Sequence, residues 1–296
     1  MAISNVIRSR IAAMTALCLL PAALAIGDET PGATDVPADV PAEISSAERD
    51  SDGYLIHRVR SAYQSGQTLI KVLLPDRMET GKQYPVLYVL PVEAGDGKHW
   101  GDGLLEVKTH DLHNKHRLIC VFPTFSHLPW YADHPADPEI RQESYLLKVV
   151  LPFVDRTYPA VGKPEGRLLL GFSKSGWGAF SLLLRNPHLF ANAAAWDAPL
   201  NEERPNRYGM GPIFGSQENF EDYRIAALLE DRAGQLRQQQ QRLVLLGYDN
   251  FRSHHLVIHD RMLALKIPHD YRDGPKRKHQ WHSGWVAEAV GLLASP

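Results

Sequence analysis

The stretch Gly171-Phe172-Ser173-Lys174-Ser175-Gly176 holds the residues best suited to chemistry in this chain. It follows an apolar run at 167–170 and leads into a helical pattern at 174–186, which puts Ser173 on a tight strand-to-helix turn. Such a turn lifts a serine hydroxyl to the top of a sheet and needs small neighbours, because its backbone runs close to flanking elements. Gly171 meets that need on one side. On the other, where glycine is usual, Ser175 stands, followed by Gly176. Serine is also a common helix N-cap, but the preceding strand and the small residues Gly176, Gly178 and Ala179 favour a nucleophile. The helix amino end, with the Lys174 N–H, would stabilise an oxyanion. A serine hydroxyl attacks only after a base takes its proton, and the base needs an acid to fix its tautomer. His279 and His282 are the candidate bases; Asp249, Asp197 and Asp273 are the candidate acids.

These residues need a frame. Short apolar runs at 54–59, 68–74, 86–90, 118–122, 167–170, 193–196, 243–246 and 267–271 read as strands, the first two antiparallel. The later runs are apolar throughout, as strands covered on both faces are. The clearest helices are 143–155, 174–186 and 253–266. The alternation predicts an α/β fold: a mostly parallel central sheet with helices on both faces and the site at the carboxyl ends of the strands. The polar, irregular stretch 201–242 reads as an excursion over that site.

With the strands placed, the chain from residue 54 onward resembles the putative esterase family of α/β-hydrolases, which includes esterase D-like, feruloyl esterase and enterochelin esterase-like proteins. The resemblance is carried by Tyr84-Pro85-Val86-Leu87-Tyr88-Val89-Leu90, by the serine turn, by Asn186-Pro187-His188-Leu189-Phe190 and by His279-Gln280-Trp281. It implies an α/β-hydrolase fold and carboxylic ester hydrolysis through an acyl-enzyme, on carbohydrate-linked or other extracellular esters. It also implies Asp249, just past the 243–246 strand, as acid and His279 rather than His282 as base. The second oxyanion donor falls in Leu90-Pro91-Val92-Glu93-Ala94-Gly95, where the family commonly has His-Gly; Pro91 has no N–H, and Glu93 aligns better than Val92. The unusual loop and Ser175 keep two other readings open: a catalytically silent binding protein, and an acyltransferase using the same residues.

Other signals are weaker. His110, His113 and His116, and the pair His255 and His259, have spacings that could share a metal, but without a recognisable acidic or Cys partner they read as surface or satisfied side chains. Neither metal nor cofactor is expected. Trp130 and Tyr131 follow a strand and could stack on a substrate ring or pack the loop. Lys276-Arg277-Lys278 reads as a solvated loop, with attraction of an anionic substrate as the sharper alternative.

A chain of 296 residues with 44% hydrophobic content can bury one sizeable core, and a net charge of −2 gives no reason to expect nucleic acid or an anionic membrane as partner. Arg8 and Arg10, the apolar run 11–20 and Ala23-Leu24-Ala25 read as a signal peptide, residues 1–25, too short for the roughly 20-residue membrane span. The expected protein is secreted or periplasmic, with no span after cleavage. Cys18 would leave with the signal, so Cys120 could form no internal disulfide and reads as packing. Residues 26–53, rich in Pro, Ala, Asp and Glu, read as a disordered acidic linker before a catalytic domain at 54–296.

Overall fold

The computed structural model describes residues 42–238 and 242–295. Its strands are β1 (Glu43–Ile44), β2 (Glu48–Arg49), β3 (Leu55–Arg60), β4 (Gln67–Leu73), β5 (Val86–Val89), β6 (Ile119–Pro123), β7 (Arg167–Phe172), β8 (Asn192–Trp196), β9 (Arg242–Tyr248) and β10 (His269–Lys276). They form one sheet in the order β1-β3-β4-β6-β5-β7-β8-β9-β10, with β2 also on β3. Pairing is antiparallel from β1 to β6 and parallel from there to β10.

Side chains alternate between two packed faces. Tyr88, Leu169, Ala193, Ala195 and Leu245 join Trp177 and Phe180 of the helix Lys174–Arg185 on one. Leu87, Leu170, Phe172, Trp196 and Leu246 join Leu104 and Val107 of the helix Gly103–Thr109 and Trp281 and Trp285 on the other. Because the strand period is two, a slip of one residue would exchange these sets, so packing fixes the register. Cys120 is fully buried in β6, and burial pushes its thiol up, as suits a packing residue.

The chain passes from β5 to β6 on one side and later to β7 on the other, so strand order reverses at β5. Loops leaving β5 and β7 diverge there, opening a crevice at the carboxyl edge. The expected helix at 143–155 is observed as Gln142–Tyr145, a π-helical turn Leu146–Val150 and Leu151–Thr157. The π turn ends just before Pro152, which has no N–H to offer a regular helix.

The linker expected at 26–53 needs correction where it is described. Strands β1 and β2 pair with β3, Ile44 opposite Val59 and Glu48 opposite Ile56, and Ser45 N–H donates to Arg58 O at 3.0 Å. Main-chain pairing needs no apolar side chains, so composition could not report it. The signal peptide and residues 26–41 lie outside the described residues. Among those described, no helix is long and apolar enough to cross a membrane.

Candidate active site

Ser173 follows β7 directly and has φ 54° and ψ −124°, a conformation that costs a non-glycine residue on the order of 1–3 kcal/mol. Its N–H donates to Trp196 O at 3.0 Å, tying the turn to the end of β8. Gly171 is obligatory, since a Cβ there would lie 2.1 Å from Ser175 O. Ser175 fits where glycine is usual by folding onto the turn: its Oγ donates to Phe172 O at 2.9 Å and accepts from Phe172 N–H at 3.0 Å. The hydroxyl thus fastens the elbow.

His279 lies just past β10, and its Nδ1 donates to Asp197 Oδ2 at 2.6 Å. Asp197 is the first residue after β8, wholly buried and with φ 39°. It also accepts from Phe251 N–H at 2.8 Å and Asn250 N–H at 3.1 Å. Burial by itself would raise this carboxyl, but the hydrogen bonds from His279 and from the N–H groups of Asp249, Phe251 and Asn250 hold it below the ordinary value. It is therefore ionised at neutral pH and selects the Nδ1–H tautomer, leaving Nε2 as the basic nitrogen. Phe172, Trp100 and Phe251 surround the imidazole at ring-centroid distances of 4.4, 5.2 and 5.7 Å.

The expected acid, Asp249, does not meet the imidazole. Its Oδ2 accepts the main-chain N–H of His279 at 3.0 Å and its Oδ1 lies 3.5 Å from Lys276 Nζ, so it secures the loop that carries His279. Strand β8 ends beneath the His279 ring, which gives Asp197 the shorter reach. Asp273 instead pairs with Arg252, at 2.8 Å from Nε. His282 is exposed beside Gly101, away from Asp197. His255, set aside as a metal ligand, and its neighbour His254 hold the loop after Asp197: His255 Nε2 accepts from Ala198 N–H at 2.9 Å, and His254 Nδ1 accepts from Asn201 N–H at 3.1 Å. Their partners lie more than 50 residues away, beyond the reach of a spacing argument.

The loop after β5 is held from three sides. Tyr131 Oη donates to Pro91 O at 2.6 Å, Gly95 N–H donates to Phe125 O at 2.7 Å, and the Glu93 carboxylate accepts from Trp100 N–H at 3.2 Å. Glu93 and Lys174 main-chain N–H groups donate to no acceptor among the described residues, as an oxyanion site needs.

Ser173, Lys174 and His279 line a cleft of about 370 Å³, together with Trp100, Pro199, Tyr208, Asn250 and Phe251. Trp130 and Tyr131 do not; both are fully buried. Trp130 packs on Trp177 and donates to Tyr208 O at 3.2 Å, while a Cβ on Gly178 would sit 2.1 Å from the Tyr131 ring. They shape the site from behind. The aromatic walls are Trp100, Tyr208 and Phe251; of these only Tyr208 falls in the stretch 201–242 that the sequence marks as lying over the site.

A parallel sheet that reverses at β5, with a serine on a strained turn and a histidine and aspartate from later strand ends, defines an α/β-hydrolase fold. Residues 61–247 match the family described as Putative esterase, and the chain belongs to it. Over 139 residues the chain is 28% identical to Esterase Rv1288 and to Esterase MT1326, both of Mycobacterium tuberculosis. That match takes in 46% of this chain and only 30% of each relative. S-formylglutathione hydrolase FrmB of Staphylococcus aureus superposes with a TM-score of 0.66 at 17% identity, covering 86% of this chain and 100% of that one. A ferulic acid esterase gives 0.63 at 21%, covering 86% and 96%. These structures share the fold. The family match ends before Asp249 and His279, so their roles rest on this chain's own geometry.

Proposed function

We propose that the protein is an exported serine esterase that hydrolyses carboxylic esters through an acyl-enzyme, with Ser173 as nucleophile, His279 as base and Asp197 as acid. The reading is carried by one arrangement: Ser173 on a strained turn, sharing a cleft with a histidine whose Nδ1 is fixed by a buried aspartate. His279 Nε2 takes the hydroxyl proton as Ser173 Oγ attacks the ester carbonyl, and Asp197 stabilises the resulting imidazolium. The N–H groups of Lys174 and Glu93 receive the charge that develops on the carbonyl oxygen. His279 returns the proton to the departing alcohol, and water repeats the sequence to release the acid. Export rests on the amino-terminal pattern alone.

Fluorophosphonate labelling with mapping of the modified residue tests the site. Label on Ser173, a burst with a para-nitrophenyl ester and loss of both in Ser173→Ala are the expected results. A folded protein with neither would leave the binding-protein reading in its place.

A further inference from the structure

Lys174 stands next to the nucleophile and is, with His279, one of two ionisable side chains besides Ser173 and Tyr208 on the cleft wall. No aspartate or glutamate lines that wall. The Lys174 ammonium has no hydrogen bond or ion pair among the described residues, although many exposed lysines and arginines of this chain have partners. Glu93 is the carboxylate acting on it, yet that side chain is engaged with Trp100 N–H. Burial lowers the Lys174 ammonium below its ordinary value, with Glu93 working the other way. A half-buried cation on an acid-free cleft wall, with Glu93 acting on it through space and no direct partner among the described residues, is only partly compensated for its removal from water, and an incoming anion would supply the missing direct contact.

We infer that Lys174 forms an anion subsite, and that the preferred substrates are esters bearing a carboxylate or similar anionic group within reach of it. This rests on the esterase reading of the same cleft. Lys276-Arg277-Lys278 supplies little of the recognition: Lys276 faces Asp249, Arg277 donates to Ser283 O at 3.2 Å, and none of the three lines the cleft. A charge-assisted contact of this kind changes kcat/KM by about tenfold or more.

The test compares matched esters that differ in charge. On the acyl side the pair is para-nitrophenyl hemiadipate and para-nitrophenyl hexanoate; on the alcohol side it is para-acetoxybenzoate and para-acetoxybenzamide. The anionic member of at least one pair should be favoured about tenfold in kcat/KM. Lys174→Arg should keep the ratio, Lys174→Met should bring it to about one and Lys174→Glu should invert it, while Glu93→Gln should raise it. The side that responds locates the anion. A ratio near one in the parent for both pairs, or one unmoved by Lys174→Met, overturns the inference. Fluorophosphonate labelling of Ser173, run in parallel, separates the failures: a labelled enzyme indifferent to charge loses only the subsite, whereas an unlabelled, inactive one loses the esterase reading and the subsite with it.

Discussion

Asp197 Oδ2 and His279 Nδ1 lie 2.6 Å apart, while Asp249 touches the same histidine only through its main-chain N–H. Two aspartates from neighbouring strand ends thus divide the support of one histidine between its ring and its backbone. Asp197→Asn should lower kcat by about a thousandfold or more, because an amide no longer fixes the tautomer or stabilises the imidazolium. Asp249→Asn should cost on the order of tenfold through looser placement of the loop. Steady-state kinetics on an aryl ester would decide, and the opposite ranking would return the acid's role to Asp249.

Ser173 holds a backbone conformation that is strained for a residue other than glycine. Ser173→Gly should abolish turnover and raise unfolding stability by about 1 kcal/mol, read in chemical denaturation. A loss of stability would mean that the turn is not strained.

Tyr131 acts on the oxyanion loop from behind, through Pro91 O. Tyr131→Phe should therefore reduce kcat with KM little changed, whereas Tyr208→Ala, at the exposed wall of the cleft, should act mainly on KM. An equal effect of both on KM would count against the division.

His255 is wholly buried, and burial brings its imidazole down to about 4. The unfolded chain takes up a proton near pH 6.5 and the folded one only near 4, so stability from this group is full above the first value. It falls away as the solution is acidified between the two, by about 3 kcal/mol in all. Asp197, held below its ordinary value, gives stability that is lost only further down, as pH falls through its folded value. His255→Gln keeps an acceptor for Ala198 N–H and should flatten the dependence between pH 4 and 6.5 in urea titrations.

The central strands and the serine turn were legible because their signals are local: apolar runs buried on both faces, and a glycine forced by a neighbouring carbonyl. His279 was singled out by resemblance and by its place after the last strand, and the structure sets its ring against a buried carboxylate. The carboxylate that meets this ring was not legible, since Asp197 and Asp249 both follow apolar strands and only the third dimension shows which one reaches it. Trp130 and Tyr131 stayed open between stacking on a substrate and packing the loop for a related reason: a loop after a strand can turn its aromatic side chains toward the cleft or into the core, and here they turn into the core. The pairing of β1 and β2 uses main-chain groups, on which side-chain composition is silent.

Ser173 and Asp197 follow β7 and β8, two strands paired along their length in the middle of the sheet and closed at the top by the bond from Ser173 N–H to Trp196 O. His279, by contrast, follows β10, a half-exposed strand at the sheet's end. Such strands open before the interior does. On warming, the proposed esterase activity should be lost while the protein is still folded, and cooling should restore it without any refolding of the core.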